Sequence, residues 1–438
     1  MSADVLRNNI ADLVKEHARL AHESRTITPG VDFIPPSGKV VGAPEVANMV
    51  EASLDAWLTT GRFNKIFEDR LSDYIGIKHL RTVNSGSSAN LVALATLTSE
   101  FLKDRALKPG DEIITTAAGF PTTLNPAVLY GLVPVFLDVD VPTYNIDVAK
   151  LEEAITPKTR AIMVAHTLGN PFNLQKIMEV AEKHDLWVVE DCCDALGATY
   201  NGQMVGTFGD LGTLSFYPAH HITMGEGGAV FTNRALLKRI MESIRDWGRD
   251  CWCEPGMDNT CNKRFDWQLG DLPFGYDHKY TYSHLGYNLK ITDMQAAAGV
   301  AQLDRLSGFV QKRRENFNIL YRLFKEFEEF FILPEPTPNS DPSWFGFVLS
   351  LRENAPFSRE VLMAYLNYEK KIGTRLLFAG NLIRQPYMKN RYYKVVGDLT
   401  MCDFVMNNTF WIGLYPALSE EHFVYMADMM REFLKKYV

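Results

Sequence analysis

Between residues 111 and 191, short apolar segments alternate with segments of helical periodicity. The apolar segments cover residues 112–116, 133–140, 159–166 and 186–191. Buried strands joined by helical crossovers form mostly parallel sheets. Ligands of such sheets collect at the carboxyl ends of the strands. The sequence therefore predicts an α/β fold, with its ligand site at that edge of the sheet.

The length of 438 residues exceeds what one compact core usually holds, so we expect two domains that share a site. Residues 1–45 are predicted to form a helix and an extended arm, and residues 46–330 the large domain. An irregular loop at 247–282 interrupts that domain. Prolines between 334 and 342 indicate a hinge into a small C-terminal domain, residues 331–438.

Composition excludes several classes of partner. The net charge of -8 argues against a broad nucleic-acid surface, which requires a basic face. No 18-residue apolar stretch occurs, so no membrane span is expected. The first 23 residues lack the apolar run of a signal peptide. We therefore expect a cytoplasmic protein without nucleic-acid or membrane partners.

Two short polar features follow predicted strands. Residues 85–88, Ser-Gly-Ser-Ser, open an apolar helical segment. Backbone N–H groups at a helix start bind phosphate, so Gly86 and Ser87 are candidate phosphate ligands; the alternative is a plain N-cap. Asp191 ends an almost wholly apolar strand. A buried carboxylate requires a cation or hydrogen-bond donors, so Asp191 either faces a cofactor or forms a structural salt bridge.

Residues 215–228, Ser-Phe-Tyr-Pro-Ala-His-His-Ile-Thr-Met-Gly-Glu-Gly-Gly, place His220 five residues after Ser215 and ahead of a glycine-rich turn. This stretch resembles the cofactor loop of the pyridoxal-phosphate sugar aminotransferases, in which the lysine of Ser-Phe-x-x-x-Lys forms the Schiff base. His220 stands at the position of that lysine. A histidine cannot hold the cofactor as an imine, but it can move protons near neutral pH. His221 is the competing base, ranked second because the lysine register falls on His220.

The resemblance implies an aspartate-aminotransferase-like fold of fold type I. In this fold a large domain with a mostly parallel seven-stranded sheet carries the cofactor, and a small α/β domain follows at the C-terminus. It also implies that Asp191 keeps the pyridine ring of the cofactor protonated and electron-withdrawing. Phe120 matches the aromatic residue that stacks on that ring; the alternative is a core phenylalanine.

The remaining cofactor contacts are implied in the same way. Ser215, with Gly86 and Ser87, matches the residues that hold the phosphate. Asn288 matches a residue that reaches the phosphate of the neighbouring subunit, which implies a homodimer with shared sites. Asp194 stands where the relatives commonly carry Gln or His, so an acid replaces a neutral or basic group near the ring. His220 and Asp194 are the two predicted catalytic residues.

Four of the six cysteines are spaced Cys-x57-Cys-x-Cys-x7-Cys, at Cys193, Cys251, Cys253 and Cys261. Such spacing suits four thiolates around one small iron–sulfur cluster. A structural zinc held by four cysteines is the alternative.

The position of Cys193 favours iron. It lies two residues beyond Asp191, roughly 7 Å along an extended chain, which would place a redox centre near the cofactor ring. Cys192 is the alternative ligand, and Cys402 is interpreted as an isolated buried thiol.

The histidine and the cysteine spacing together resemble the iron–sulfur CDP-6-deoxy-4-hexulose 3-dehydrases, over essentially the whole chain. The resemblance implies pyridoxamine 5'-phosphate (PMP) and a 2Fe-2S cluster as cofactors. It implies a CDP-linked 4-keto-6-deoxyhexose as substrate, a C-3 dehydration in dideoxysugar and lipopolysaccharide biosynthesis, and an NADH-dependent flavin iron–sulfur reductase as electron donor. Arg375 and Arg384 are candidate diphosphate contacts; solvated surface arginine is the alternative.

Three other functions remain open from the sequence. The GDP-sugar 3-deoxygenases share the histidine but lack the cysteine loop. A plain sugar aminotransferase is disfavoured because the lysine is absent. A non-enzymatic scaffold with a structural zinc leaves Asp191, Phe120 and Ser215 without a role.

Overall fold

The computed structural model describes residues 2–23, 27–251, 253 and 256–437. It contains a large eight-stranded sheet and a smaller four-stranded sheet, each covered by helices. The α-helices, in chain order, are α1 (Ala3–Ala18), α2 (Ala43–Leu54), α3 (Arg62–Ile75), α4 (Gly86–Leu97), α5 (Pro121–Leu129), α6 (Leu174–Lys183), α7 (Ala235–Arg245), α8 (Asp293–Leu303), α9 (Leu306–Phe324), α10 (Arg359–Ala364), α11 (Thr400–Asn408) and α12 (Glu420–Leu434).

The strands are short, as the sequence predicts for a crossover fold. They are β1 (His79–Val83), β2 (Glu112–Thr116), β3 (Val133–Leu137), β4 (Val139–Asp140), β5 (Asn145–Ile146), β6 (Thr159–Ala165), β7 (Trp187–Asp191), β8 (Thr199–Tyr200), β9 (Gln203–Met204), β10 (Leu211–Ser215), β11 (Gly228–Thr232), β12 (Phe331–Ile332), β13 (Ser340–Asp341), β14 (Phe347–Leu351), β15 (Thr374–Leu376), β16 (Lys394–Val395) and β17 (Thr409–Ile412).

The large sheet has the order β1-β11-β10-β7-β6-β2-β3-β16. Only β11 runs antiparallel to its neighbours; every other pairing is parallel. The mostly parallel α/β architecture of the prediction is therefore confirmed. The predicted count of seven strands is one short, because β16 comes from the C-terminal region and pairs with β3 at the edge. A two-residue strand carries too little periodicity to be seen in a sequence.

Strand alternation divides the large core between the two faces of the sheet. In β7, Val188 packs into the cluster around α3 and α8, whereas Trp187 and Val189 pack into the cluster around α4 and α7. The last two residues of the strand follow the same alternation. Asp191 therefore faces α4, and Glu190 points to the opposite side of the sheet.

The small sheet is antiparallel, with the order β12-β14-β17-β15. Its buried face packs against α9 and α12 through a cluster rich in phenylalanine. The predicted hinge at 334–342 is tied to the large domain, because β13 pairs with β8. Beyond it, the Ser343 N–H donates to Gly169 O at 3.0 Å and the Phe345 N–H to Leu168 O at 2.9 Å. The domain boundaries at 45 and 330 stay predictions.

Helical spacing of apolar residues from residue 286 to about residue 330 predicts a single long helix in the sequence, and this prediction is wrong. The structure has two helices, α8 and α9, with a break at Asp304 and Arg305, and α9 ends at Phe324. Continuous apolar spacing conceals the break because both helices bury one face. Among the described helices, none has the length and apolarity needed to cross a bilayer.

Candidate active site

Asp191 ends β7 with its side chain buried and three donors around it. Oδ2 accepts hydrogen bonds from the Asn90 amide at 2.8 Å and the Thr123 hydroxyl at 2.7 Å. Oδ1 accepts from the Cys193 N–H at 3.1 Å. Neutral donors orient this carboxylate without supplying an opposite charge. Asp191 is therefore not the carboxylate of a structural salt bridge among the described residues, and it can serve a cationic ring nitrogen.

A phosphate-sized anion has a cradle at the start of α4. Gly86 and Ser87 are the first two residues of this helix, where backbone N–H groups have no intrahelical acceptor. Ser85 caps the helix by accepting from the Ser88 N–H at 3.1 Å. A β-carbon on Gly86 would lie 2.5 Å from Ser215 Cβ and 3.0 Å from Cys193 Sγ. The close approach of α4 to Ser215 therefore requires glycine. The segment is a capped helix, and its role as a phosphate site stays a prediction.

Phe120 lies at the same carboxyl edge, directly before α5. Its ring is 52% exposed and meets Phe378 edge-to-face at 6.1 Å between centroids. It is therefore not a core phenylalanine. An exposed ring beside Asp191 and the helix start fits the predicted stacking on a planar cofactor.

The structure places His220 beside Asp194, the other predicted catalytic residue. Nδ1 lies 3.3 Å from Asp194 Oδ1, and both side chains are largely buried. The contact has ion-pair distance but lacks hydrogen-bond geometry. The imidazole also tilts against the ring of Phe345, 5.3 Å between centroids. Asp194 thus lies against the imidazole of His220, and a catalytic role of the two side chains stays a prediction.

His221 has a different surrounding. Its Nε2–H donates to Ser343 O at 2.8 Å, and the side chain is buried. Burial, followed by the charge of Arg313, lowers the pKa of His221 well below its usual value. A neutral imidazole held on a backbone carbonyl is a structural group. The geometry therefore favours His220 over His221 as the base.

The cysteine loop brings two of the predicted ligands together. Cys251 and Cys253 are separated by one residue in this loop. Burial raises the pKa of Cys253, but hydrogen bonds from Thr260 outweigh burial, and the pKa falls below its ordinary value. A lowered thiol pKa favours the thiolate that binds metals.

The other two predicted ligands have separate environments. Cys261 Sγ lies 3.4 Å from His278 Nε2 in the same loop. Cys193 lies at the phosphate cradle beside Gly86 and Ser215. A two-iron cluster takes its four thiolates as two pairs, and the one-residue spacing of Cys251 and Cys253 suits one such pair. Pairing of Cys193 with Cys261 stays a prediction.

A different group has metal-ligand proximity in the described part of the chain. His166, Glu190 and Cys192 have ligand atoms within 4.8 Å of one another and are all buried. Glu190 is already saturated, since it accepts from His166 Nε2 and from the backbone N–H groups of residues 206, 208 and 209. His166 Nδ1 accepts from the Phe172 N–H. With no free lone pair directed at a metal, this group is a structural cluster, and Cys192 is part of it.

Three further sequence candidates lie outside the cofactor seat. Asn288 is exposed on a segment bridged to Asp246, where its predicted role toward a second subunit stays a prediction. Arg384 forms a two-point ion pair with Asp403 on the surface, which leaves it poorly suited to a diphosphate. Arg375 is exposed on β15 and donates to the carbonyl of its neighbour Thr374.

Sequence reasoning missed Asn90 and Thr123, which hold Asp191. Asn90 is a polar residue within an otherwise apolar helix, a signal that was available. It also accepts from the Thr213 hydroxyl at 2.7 Å, so β10 contributes to the same network. Thr123 follows Phe120 by three residues, on the first turn of α5. Arg313, which is fully buried and lines one cavity together with His220, was missed as well.

Comparison with known proteins agrees with this geometry. Residues 41–431 match the model of the DegT/DnrJ/EryC1/StrS aminotransferase family. The lipopolysaccharide biosynthesis protein RfbH of Salmonella typhimurium is 62% identical over 99% of both chains. The dTDP-4-dehydro-2,6-dideoxy-D-glucose 3-dehydratase of Saccharopolyspora spinosa is 50% identical, covering 98% of this chain and 92% of that protein.

A solved structure superposes on most of the molecule. The GDP-4-keto-6-deoxymannose-3-dehydratase with a trapped PLP-glutamate geminal diamine matches with a TM-score of 0.81 and 29% identity. It covers 90% of this chain and 99% of its own. With the family model spanning most of the residues and the seat of Asp191, Gly86 and Ser215 in place, the chain belongs to the DegT/DnrJ/EryC1/StrS aminotransferase family.

Proposed function

We propose that this protein is a PMP-dependent 3-dehydratase that removes the C-3 hydroxyl of a nucleotide-linked 4-keto-6-deoxyhexose. The observation that carries the proposal is His220, which occupies the position of the tethering lysine and lies 3.3 Å from Asp194. Two relatives named as sugar 3-dehydratases, one acting on a dTDP sugar and one on a GDP sugar, support it.

The seat fits PMP. Gly86, Ser87 and Ser215 would hold the phosphate, Phe120 would cover one face of the ring, and Asp191 would bind the ring nitrogen. When bound, the cofactor supplies an amine for the C-4 ketone and an electron-withdrawing ring. A histidine leaves the cofactor free to enter and leave, because it forms no covalent tether.

His220 would take a proton from the amine-bearing carbon of the cofactor, with Asp194 stabilising the imidazolium. The C-3 hydroxyl would then depart as water after receiving a proton. Positioned proton transfer of this kind contributes about 10²–10⁴-fold to the rate. Asp194 would thus act on the reaction through His220. This role would account for an acid at a position where aminotransferases commonly carry Gln or His.

The His220→Asn variant tests this assignment. We expect C-3 dehydration to fall by at least about 10²-fold, while PMP binding, followed by the absorbance of the bound cofactor, changes little. A His221→Asn variant serves as the matched control and should retain most activity. Loss of cofactor binding in the first variant, or equal losses in both, would contradict the role of His220 as the base.

We further propose a 2Fe-2S cluster held by Cys193, Cys251, Cys253 and Cys261. When bound, such a cluster supplies one-electron transfer, here from an NADH-dependent flavin iron–sulfur reductase. The one-residue spacing of Cys251 and Cys253 and the lowered pKa of Cys253 support it. Anaerobic reconstitution should give about two irons per chain in the wild type and in Cys402→Ser, but not in Cys251→Ser. Stoichiometric zinc without iron uptake would favour the structural-zinc alternative.

For the substrate we propose a CDP-linked 4-keto-6-deoxyhexose in lipopolysaccharide dideoxysugar biosynthesis. The 62% identity to a lipopolysaccharide biosynthesis protein supports the pathway class. The choice of CDP as the nucleotide rests on the resemblance carried by the cysteine pattern, because the two dehydratases named above are named for dTDP and GDP sugars. Comparing kcat/KM for the CDP-, dTDP- and GDP-linked ketosugars decides between them. A preference for the GDP sugar without need of a reductase would establish the GDP-sugar alternative.

A homodimer is proposed as the working assembly. Exposed apolar side chains concentrate in and beside the cysteine loop, with Phe274 and Leu285 at 73% and 84% exposure. Exposed apolar patches of this kind mark interaction surfaces. Sedimentation of a Leu285→Asp variant should show weakened association. The control Val424→Asp, on the exposed face of α12, should sediment as the wild type does.

A further inference from the structure

Cys193 lies at the start of α4. Its N–H donates to Asp191 Oδ1 at 3.1 Å, which holds it directly after the end of β7. A β-carbon on Gly86, the first residue of α4, would lie 3.0 Å from Cys193 Sγ. Cys193 is half-buried in this position, beside the seat proposed for the cofactor. This thiol is therefore fixed at one end of α4.

The first thiol of the cysteine loop lies against the opposite end of the same helix. Cys251 lines a small cavity with Phe101, which comes four residues after the last residue of α4. The Arg239 guanidinium lies over the Phe101 ring, 5.3 Å from its centroid, and donates to Asp250 Oδ1 at 2.9 Å. Asp250 directly precedes Cys251, so these contacts hold the start of the loop on this side. A helix of twelve residues is about 18 Å long, so α4 separates Cys251 from Cys193.

The other two thiols of the loop have contacts within the loop itself. The Thr260 hydroxyl donates to Cys253 Sγ at 3.1 Å, and Cys261 Sγ lies 3.4 Å from His278 Nε2. Metal–thiolate bonds are short, about 2.3 Å for zinc, so a two-iron cluster does not span a separation close to the length of α4. Over the residues that the structure describes, the loop thiols and Cys193 of one chain therefore do not share a cluster.

Two surfaces with exposed aromatic side chains flank these thiols. On the side of Cys193, Phe120 and Tyr217 lie at the carboxyl edge of the large sheet, each with about half of its surface exposed. In the loop, Phe274 and Tyr282 are more than half exposed. Exposed apolar patches mark interaction surfaces. In a twofold dimer, a patch that contacts a different patch of the partner does so twice, so one contact would cover both surfaces on both subunits.

We propose that the 2Fe-2S cluster forms between two copies of this chain. Cys193 of one subunit joins Cys251, Cys253 and Cys261 of the other subunit around one cluster. Twofold symmetry gives two such sites, and each of them is incomplete in an isolated chain. The inference rests on the proposed function, because it takes these four cysteines as the cluster ligands. It adds the division of the ligands between two chains, which their spacing in the sequence does not reveal.

The test combines two defective chains in one dimer. Chains with Cys193→Ser and with Cys251→Ser carry different affinity tags, and the mixed dimer is isolated on both tags and reconstituted anaerobically with iron and sulfide. One of its two sites then has all four cysteines. We expect about two irons per mixed dimer, half of the wild-type content, with the absorbance of thiolate-bound iron. If each chain held its own cluster, both sites would lack a ligand and iron would be absent.

A second mixed dimer is the matched control. It combines Cys251→Ser with Cys253→Ser, which lie in the same loop, so both sites lack a ligand under either division. It should therefore bind no iron. Absence of iron from the first mixed dimer, while the wild type loads fully, would overturn the inference. Equal iron contents in the two mixed dimers would overturn it as well.

A crosslinking experiment tests the same approach of the thiols without metal. A variant keeps Cys193 and Cys253 and carries serine at the other four cysteines. Treatment with dibromobimane, a short reagent that joins two thiols, should give a covalent species of twice the chain mass. A crosslink within one chain, or no crosslink at all, would overturn the inference. Wild-type protein that takes up no iron would contradict the cluster of the proposed function, while the crosslink still reports whether the thiols meet across chains.

Discussion

The carboxylate of Asp191 shows how one residue acquires its role. Strand alternation turns it toward α4, and three neutral donors fix both of its oxygens. Glu190, its neighbour, points to the other face and is saturated by backbone N–H groups and His166. The two adjacent acids thus have different surroundings, because successive side chains of a strand point to opposite faces of the sheet.

Replacing Asp191 with Asn should remove the charge that the ring nitrogen of the cofactor requires. We expect kcat to fall by about 10²–10³-fold, as is typical for loss of a preorganised electrostatic contact. The measurement is single-turnover dehydration with saturating PMP. The control Thr123→Val removes one donor to the same carboxylate and should cost about 1 kcal/mol, or roughly fivefold. Equal losses in the two variants would contradict a direct role for the charge.

Protonation of His221 should make stability depend on pH. Its folded-state pKa is lowered, so the unfolded chain binds a proton that the folded protein does not. Stability therefore rises with pH below about 6.5, by up to about 1.4 kcal/mol per pH unit. Urea unfolding at pH 7 and pH 5 should show a smaller difference in His221→Gln than in the wild type. Gln is chosen because its amide can still donate to Ser343 O.

At the scale of elements, close packing determines the surroundings of the first residue of α4. The capping serine and the apolar pattern make the helix, and the β-strand ends on either side bring Ser215 and Cys193 against its first residue. An isolated helix N-terminus would offer only its own backbone N–H groups. Here β10 ends at Ser215, which lies against Gly86 and encloses the helix start on one side.

Gly86→Ala should fill that cradle. Its β-carbon would lie 2.5 Å from Ser215 Cβ, closer than atoms can pack, so Ser215 must shift. We expect the dissociation constant for PMP, measured by absorbance titration, to rise by about 5- to 150-fold, since overpacking costs about 1–3 kcal/mol. Gly308→Ala on α9 is the matched control, because its β-carbon meets no atom within 4 Å. Unchanged PMP affinity in Gly86→Ala would contradict the proposal that the start of α4 binds the phosphate of the cofactor.

For the molecule as a whole, the two sheets are joined by polar contacts at the edge that carries the site. Asp138, just after β3, caps α11 by accepting from the N–H groups of Met401 at 2.8 Å and Cys402 at 2.7 Å. The Tyr144 hydroxyl reaches Ser350 on β14 at 2.7 Å. Such contacts hold the C-terminal region against the strand ends where the substrate would bind.

Removing this cap in Asp138→Ala should loosen the C-terminal region. Two backbone donors would lose a buried acceptor, at a cost of about 2–4 kcal/mol. Hydrogen exchange should rise in α11 and β17 ahead of the large sheet. Asp398→Ala removes an exposed acceptor from the same turn, bonded to the Thr400 N–H, and should change exchange little. Uniform protection in both variants would show that the cap does not join the two regions.

The sequence by itself determined the parallel sheet, the edge where ligands bind and the exchange of lysine for His220. These features depend on local signals: alternating apolar segments, a helix start rich in small residues, and a motif of fixed spacing. The sequence named His220 and Asp194 separately as catalytic candidates, and the contact between them is a finding of the structure.

Only the tertiary structure decided which neighbours hold these residues. Asn90 and Thr123 lie far along the chain from Asp191, which they hold, and no local pattern marks such contacts. The choice between His220 and His221 likewise depends on Ser343, over a hundred residues away. Periodicity reports which face of an element is buried, whereas the partner buried against that face is a property of the folded chain.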